Sequence, residues 1–334
     1  MRVGHDVHLQ LRGHPKYCVR VADTLHSAEQ LERFAKGVFL AMGAAEEVAA
    51  TVAGHLLRAN LAGHDSHGVI RIPQYVAEAD RGDLLPGARA ELVSEKGAVG
   101  MVDAGRGFGH SATALAMSWA AGRALELGIA AAAVRRANHL GRLGEYAELA
   151  AARGVVGIAT VGVVGRGGVT PFGGRGAIGV PAAGEPMIYD AATSAVAAGK
   201  LRLARAKGVA VPAGAIVDSE GRPSTDPNDY YAGGALLPLG GLLAGHKGYG
   251  LALASALVGG LAMVGDDGAT TAGTARAGDG GPWLAGAFVV AIDPEWFGGA
   301  ESYRMAVADV LGALRRQPAA DGVDEVLVPG DPER

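Results

Sequence analysis

The chain has 334 residues, of which 49% are hydrophobic but only 5% aromatic, so alanine, valine, leucine and glycine have to fill its core. Its net charge of −4 comes without a block of Lys and Arg, which argues against a nucleic-acid partner. The single cysteine, Cys18, excludes an internal disulfide and predicts a cytoplasmic location. Residues 249–264 are too short an apolar stretch for a bilayer span, and no apolar run opens the chain, so no membrane partner or signal peptide is expected.

The helices are predicted from apolar residues at helical spacing and from cap residues. Ser27, with Gln30 three residues later, has capping-box spacing and predicts that the first helix begins there. Residues 1–24 are polar and lack a period, which indicates an extension or an edge strand. Further helices are predicted over residues 46–62, 69–79, 111–127, 144–153, 194–206, 247–264 and 300–314, the one at 247–264 being buried.

Short β-branched or glycine-bounded runs predict the strands. They lie at residues 99–103, 129–134, 155–164, 187–190 and 287–293. Residues 165–184 are dense in glycine and predict a loop, residues 212–228 predict turns, and residues 265–281 predict a polar loop. Strands that alternate with helices predict an α/β fold, and no internal repeat is present.

The segment from His64 to Gly68 concentrates four polar side chains directly after an apolar helix. Histidine exchanges protons near neutral pH, and a neighbouring serine and aspartate could orient His67. Alternatively, Asp65 and Ser66 cap the next helix while His64 lies in solvent, and the residues alone do not decide. No metal is expected, because the two histidines lack a third ligand at a recognisable spacing. A serine hydrolase is not expected either, since a Gly-x-Ser-x-Gly elbow is missing.

Four other features are candidates for ligand binding. Asn138 and His139 follow a strand, where open α/β sheets bind ligands, although a helix cap is the interpretation that spacing favours. The glycines of 165–176 could offer N–H groups to a phosphate but do not spell a dinucleotide motif. Asp190 ends a strand and could tune a histidine or cap the next helix. Lys247 opens the long apolar helix, where it could bind an anion or be solvated.

Together these segments resemble the malate/L-lactate dehydrogenase-like family over about residues 22–310. The Asp-Ser-His-Gly and His-Lys-Gly-Tyr-Gly blocks are specific in this order and spacing. The matching segments are RANLAGHDSHGVIRIPQY from Arg58, ANHLGRLGEYA from Ala137, DAATS from Asp190 with GK at Gly199, LPLGG from Leu237, HKGYGLALA from His246 and AIDPEWF from Ala291.

The resemblance implies a non-Rossmann α/β fold with a mixed sheet, flanking helices and two domains. A substrate and dimerisation domain would comprise residues 25–125 and 245–334, and a cofactor-binding-like domain residues 126–244. Residues 1–24 would form an N-terminal extension. The family also implies a homodimer.

The implied chemistry is reduction with NAD or NADP of a small carboxylate that carries an adjacent carbonyl or imine, or the reverse oxidation. His67 would be the acid/base, assisted by Ser66 and Asp190, and Arg71 and His139 would bind the substrate. The residues expected to bind the cofactor are Asn138, Gly173, Gly174, Lys247 and Gly248.

Three segments depart from the family pattern where the family's nicotinamide site is lined. Residues 161–163 read Val-Gly-Val where Thr-Asn-Ser is usual, residues 174–190 lack a Gly-Thr-Asn-Pro stretch, and Ala137 replaces a serine. A second hypothesis is therefore a member that lost hydride transfer and uses His67 and Asp190 for cofactor-independent isomerase, lyase or cyclase chemistry. A third is a non-catalytic dimeric binding protein.

Overall fold

A mixed seven-stranded sheet organises the part of the chain that the computed structural model describes, residues 18–21, 24–163, 173–262 and 284–334. The strands are β1 Cys18–Val21, β2 Thr24–Ser27, β3 Glu91–Lys96, β4 Val99–Asp103, β5 Ile129–Ala137, β6 Val156–Val163, β7 Gly173–Val180, β8 Met187–Ala192, β9 Ile216–Val217, β10 Pro223–Ser224, β11 Ala235–Leu236 and β12 Ala285–Ile292.

The helices pack around this sheet. They are α1 Ala28–Ala41, α2 Glu46–Leu61, α3 Ile72–Asp80, α4 Gly109–Leu127, α5 Gly144–Ala152, α6 Ala198–Lys207, α7 Pro227–Tyr231, α8 Gly241–Gly259 and α9 Ala300–Arg315. Short 3-10 helices lie at Asp65–His67, Val69–Arg71 and Pro294–Phe297. None of the helices in the described ranges combines the length and apolar character that crossing a bilayer requires.

The order of the strands in the large sheet is β3-β4-β5-β12-β6-β7-β8. β4 and β5 pair in parallel and the other neighbouring pairs are antiparallel. β12, from the C-terminal part of the chain, lies between β5 and β6 and joins the two halves of the sheet. The predicted mixed sheet with flanking helices is confirmed, whereas the division into two domains stays a prediction.

Small side chains explain how this core packs with few aromatics. The cluster beneath the sheet is dominated by alanines of α4, α5, β5 and β12 that are fully buried. A methyl group lets helix and sheet backbones approach closely, so dense packing does not require large side chains. A second cluster joins α1, α2 and α3 around Phe39, Leu56 and Tyr75, and it supports the segment that contains His67.

The local sequence signals at several elements are confirmed. The capping box is present, because Gln30 N donates to Ser27 Oγ at 3.2 Å and Ser27 N donates to Gln30 Oε1 at 3.0 Å. The strand at 99–103 forms at the predicted residues, and α2, α5 and α9 match their predictions to within one residue at each end.

Three predictions are wrong in part. The loop over 165–184 contains β7, and the turn region 212–228 contains β9 and β10. β3 was not predicted, and α6 begins at residue 198 and not at residue 194. Residues 1–17, 164–172 and 265–281 lie outside the described residues.

The long apolar helix also differs from its prediction. α8 begins at Gly241, earlier than predicted, and non-helical dihedral angles at Ala244 interrupt it before Lys247. It is not buried as a whole, since Leu251 is 46% and Leu257 is 59% exposed. Its inner face packs against β6 and β7.

Candidate functional site

The buried side chain of Asn60, near the end of α2, holds the segment that contains His67. Asn60 Nδ2 donates to Asp65 Oδ1 at 2.6 Å, and Val69 N donates to Asn60 Oδ1 at 2.9 Å. A side chain at Gly68 would overlap the amide of Asn60, so glycine is required there. Asp65 therefore fixes the turn against α2. Neither 3-10 helix of this segment has a side-chain cap, so Asp65 and Ser66 do not act as helix caps. His64 is not in open solvent, because its Nε2 lies 3.6 Å from Glu333 Oε1.

His67 is buried, with 8% of its surface exposed, and its polar neighbours include Ser66 and His139. Ser66 Oγ lies 3.0 Å from His67 Nδ1, within hydrogen-bond distance. The imidazole of His67 stacks on that of His139, with ring centroids 5.5 Å apart and planes 20° apart. The structure thus brings His139, selected from one motif, against the pair Ser66 and His67, selected from another.

Arg71 is tied to the same turn and to α3. Its Nε donates to the carbonyl oxygen of Ser66 at 2.5 Å, and its Nη1 donates to Gln74 Oε1 at 2.6 Å. Gln74 Nε2 donates in turn to Glu78 Oε1 at 2.9 Å. Because the guanidinium is held at two of its nitrogens, its position relative to His67 is fixed by short bonds.

Asn138 completes this network from the end of β5. Its Nδ2 donates to Glu78 Oε2 at 3.1 Å, and the residue is 1% exposed. The interpretation of Asn138 as a helix cap is therefore wrong. Its Oδ1 is buried and has no hydrogen-bond partner among the described residues.

Three more buried aromatic side chains extend the site inward: His55, Tyr75 and His110. The hydroxyl of Tyr75 lies 2.7 Å from His139 Nδ1 and 3.4 Å from His110 Nε2. The rings of His110 and His55 meet edge to face at 4.7 Å, and Arg142 N donates to His55 Nε2 at 2.8 Å.

Burial keeps this inner cluster neutral. Loss of hydration lowers the pKa of His55 to about 3, and the charges of Arg142 and Arg58 act in the same direction. Burial likewise lowers the pKa of His110 well below its ordinary value. Burial also raises the pKa of Tyr75, so the phenol keeps its proton at every physiological pH.

His55, Tyr75 and His110 were not predicted as site residues from the sequence. His55 lies on the apolar side of α2 beside Val52 and Leu56, so its position among apolar residues was a signal of a buried histidine. Tyr75 lies in one of the matching segments but carried no motif of its own. His110 begins α4 far from the other members in sequence, and only the fold shows that they meet.

Asp190 lies in β8. Its Oδ2 accepts a hydrogen bond from Gly144 N at 2.9 Å, at the first turn of α5. A carboxylate is favourable there because it satisfies a free N–H at a helix N-terminus. Asp190 thus supports α5 and not the helix that follows it, and its assistance to His67 stays a prediction.

The candidate cofactor residues lie on two elements besides Asn138. Gly173 and Gly174 do not lie in a loop but at the start of β7, where they pair with Val163 and Gly162 of β6. The pairing of β7 with β8 begins only at Arg175. Lys247 is exposed and follows the interruption of α8 at Ala244. Gly248 is required by packing, since a side chain there would overlap the backbone of Leu239.

The altered segment at Gly162 has a packing role. A Cβ at Gly162 would overlap the backbone of Gly260, and a Cβ at Gly259 would overlap that of Gly162. The end of α8 therefore contacts β6 backbone to backbone, a contact that an asparagine at 162 would prevent.

The described ranges offer no metal site, and a surface groove there lies apart from the site residues. No group of three or more His, Cys, Asp or Glu side chains there is placed to hold a metal ion. A surface groove of about 630 Å³ is lined by the end of α5, the turn between β7 and β8, and Arg304. It is lined by none of the site residues above.

Comparison with known proteins gives concordant matches. The family model described as malate/L-lactate dehydrogenase matches residues 26–334. Hydroxycarboxylate dehydrogenase B of Escherichia coli O157:H7 is 38% identical over 321 residues, covering 93% of this chain and 85% of that enzyme. The structure of sulfolactate dehydrogenase from Methanocaldococcus jannaschii has a TM-score of 0.80 and 31% identity, covering 92% of this chain and 88% of that one. That of Δ1-piperideine-2-carboxylate reductase from Pseudomonas syringae pvar. tomato has a TM-score of 0.76 and 30% identity, covering 92% and 91%.

Proposed function

The chain belongs to the malate/L-lactate dehydrogenase family and is an oxidoreductase of that family, and on this premise we propose that it is an NAD(P)H-dependent reductase of a small 2-oxo acid or a cyclic ketimine carboxylate. The reverse reaction is oxidation of the 2-hydroxy acid or cyclic amino acid. The observation that carries the proposal is the buried His67, hydrogen-bonded to Ser66, stacked on His139 and lying on the same turn as Arg71.

Each side chain has a defined task in this reaction. NADH or NADPH, when bound, supplies a hydride and its two electrons to the carbonyl or imine carbon. His67 gives the balancing proton to the carbonyl oxygen or imine nitrogen, so a hydroxyl or amine is formed. Ser66 holds the ring of His67, and Arg71 binds the substrate carboxylate, for which a guanidinium offers two parallel N–H groups. His139 contacts the substrate beside His67.

The residues present fit a nicotinamide cofactor in two respects. Asn138 carries a buried amide oxygen without a partner among the described residues, which is an acceptor suited to the donor N–H of a carboxamide. Gly173 and Gly174 form a strand end without side chains, beyond the reach of β8, where a ligand can approach the backbone. Asn138, Gly173 and Gly174 would hold the cofactor, with Lys247 and Gly248 on α8 near its phosphates.

The two other hypotheses receive less support. Cofactor-independent isomerase, lyase or cyclase chemistry would use the same His67 and Asp190, but the relatives are named dehydrogenases and a reductase. A non-catalytic binding protein is not supported, since the chain belongs to a family of enzymes. The homodimer, the cytoplasmic location and the two domains belong to the proposal on the strength of the resemblance and the lone Cys18.

The proposal is tested by ligand binding followed by turnover. Purified protein is titrated with NADH and NADPH while its melting temperature is measured, because a ligand that binds the folded state raises that temperature. A panel of 2-oxo acids and cyclic imine carboxylates is then added and NAD(P)H absorbance is recorded. We expect binding of at least one cofactor and turnover of at least one carboxylate. Absence of any shift at millimolar cofactor, with no turnover, would overturn the proposal.

A further inference from the structure

The hydroxyl of Tyr75 lies between two histidine rings and has a single proton to share. Its neighbours are His139 Nδ1 at 2.7 Å and His110 Nε2 at 3.4 Å. A phenol that stays protonated donates one hydrogen bond, so it can give its proton to one ring and must accept from the other. His110 is fully buried and neutral, and therefore carries one N–H.

Two observations set the direction of the hydrogen bonds from His110 through Tyr75 to His139. The 2.7 Å distance between Tyr75 and His139 is typical of an O–H donor, whereas 3.4 Å to His110 is long and fits a weaker N–H donor. In addition, His110 Nδ1 is buried without a partner among the described residues. A proton on Nδ1 would leave a buried N–H unmatched, while a proton on Nε2 can be donated to Tyr75.

His55 does not change this assignment. The ring of His55 packs edge to face on His110, but its Nε2 already accepts from Arg142 N at 2.8 Å. The packing is tight, because a side chain at Gly141 would overlap both rings, and Gly141 has φ of +74°. The rings of His55 and His110 are therefore held in place by their surroundings.

We propose that two hydrogen bonds in series hold His139 in one protonation state. His110 Nε2–H donates to the Tyr75 oxygen, and the Tyr75 O–H donates to His139 Nδ1. His139 is then the neutral tautomer with its proton on Nε2. Tyr75 and His110 are then positioning residues, because they act through His139. A neutral His139 also leaves the adjacent, stacked His67 free of a like charge when it carries its own proton. The two stacked histidines thus have different tasks, one as a fixed hydrogen-bond donor and one as the proton-transfer group.

The tautomer of His139 restricts which substrate atoms can bind to it, an inference that rests on the proposed function. A substrate atom that meets His139 Nε2 has to be an acceptor, such as a carbonyl or carboxylate oxygen. Removal of the Tyr75 hydroxyl should therefore raise the KM for the carboxylate substrate more than it lowers kcat. The rise should be about fivefold, the equivalent of about 1 kcal/mol for one hydrogen bond.

The tautomer can be measured directly by NMR, without turnover. Full-length protein labelled with ¹⁵N in its histidine rings is examined by two-bond ¹H–¹⁵N correlation near pH 7.5, and the His139 signals are assigned by their loss in His139→Gln. We expect a bare Nδ1 and a protonated Nε2. A protonated Nδ1, an imidazolium or rapid exchange between tautomers would overturn the proposal. Once His139 is assigned, the wild-type spectrum decides the tautomer whether or not the proposed activity is found.

Variants then test the direction of these hydrogen bonds. His110→Gln keeps an N–H that can donate to Tyr75, whereas His110→Leu removes it. We expect the Nε2–H tautomer of His139 to persist in the Gln variant and to give way to a tautomer mixture in His110→Leu and in Tyr75→Phe. The ring signals of His26, which lies in β2, serve as the control for an intact fold. If the His139 signal is unchanged in the folded His110→Leu variant and in the folded Tyr75→Phe variant, the hydrogen bonds through Tyr75 do not set the tautomer.

Discussion

Gly199 stands directly against Ser66, so that a Cβ built on Gly199 would overlap the Cβ of Ser66 and lie 2.9 Å from its Oγ. Through this contact, the start of α6 limits where Ser66 can place the hydroxyl that lies 3.0 Å from His67 Nδ1. The orientation of the candidate acid/base histidine therefore depends on a helix that is distant from it in sequence.

Substitution Gly199→Ala should impair the site more than it impairs the fold. The added methyl group must displace Ser66 or α6, and a shift of about 1 Å in a catalytic group can cost about 100-fold in rate. We expect kcat to fall at least tenfold, with a melting temperature that drops by a few degrees. Both quantities are measured on the same preparation.

Gly37→Ala is the matched control for this glycine substitution. Gly37 lies in α1 with open space around its Cα, so alanine should stabilise the helix by about 0.5–1 kcal/mol and leave kcat unchanged. Equal activities of the Gly199→Ala and Gly37→Ala variants would show that the contact with Ser66 does not position His67.

The buried histidines predict how stability depends on pH. His55 has a pKa of about 3 in the folded state against 6.5 as its ordinary value, and burial shifts the pKa of His110 in the same direction. Below about pH 6.5 these histidines bind protons in the unfolded state but not in the folded state. The free energy of unfolding therefore falls as pH falls. Each histidine contributes a slope of up to about 1.4 kcal/mol per pH unit, and neither contributes above about pH 7.

Chemical denaturation between about pH 8 and pH 5 measures this slope, in a range where most carboxylates stay ionised. His55→Gln keeps an acceptor for Arg142 N but cannot take up a proton, so its slope between pH 6 and pH 5 should be smaller than that of the wild type. The account of a neutral, buried His55 fails if the two slopes coincide.

Asn138→Ala should affect both stability and cofactor binding. The variant removes the donor that Asn138 Nδ2 provides to the buried carboxylate of Glu78, which should cost about 1–3 kcal/mol of folding free energy. If the amide oxygen also binds the nicotinamide, the Kd for NADH or NADPH rises about fivefold or more. Denaturation and a fluorescence titration separate the two effects, and an unchanged Kd would restrict Asn138 to a structural role.

Gly259→Ala tests why glycine occupies position 162. The substitution places a methyl group against the backbone of Gly162, and overpacking of this kind typically costs about 1–3 kcal/mol. Gly250→Ala in the same helix meets no atom within 4 Å and should be neutral or stabilising. A melting temperature that is unchanged in Gly259→Ala would argue against close contact between α8 and β6.

Local signals made much of the fold predictable. The capping box at Ser27 and the apolar spacing of α2 depend on residues a few positions apart, and both elements formed where they were predicted. β7 was missed because its glycines carry no alternating pattern, and it exists because β6 and β8 pair with it on either side. Strand pairing of this kind is a tertiary property that a glycine-rich segment does not show in its sequence.

The site was predictable only in its outer part. The motif around His67 and the pair Asn138 and His139 were singled out as candidates, and the family resemblance, not their spacing, gave them expected roles. Tyr75 and His110 were not singled out, since each lies in a helix and their meeting depends on how α3, α4 and β5 pack. Asp190 was recognised, but its bond to Gly144 was not foreseen.

The most direct test of the proposed function compares wild-type protein with His67→Asn, using His26→Asn as the matched control. NAD(P)H oxidation is followed with the best carboxylate from the panel, and cofactor affinity is measured in parallel. We predict that kcat falls about 100- to 10,000-fold in His67→Asn, the usual contribution of a general acid, while the Kd for the cofactor changes little and His26→Asn matches the wild type. Turnover by His67→Asn at the wild-type rate would contradict the account, as would a wild-type protein that reduces no carboxylate at all.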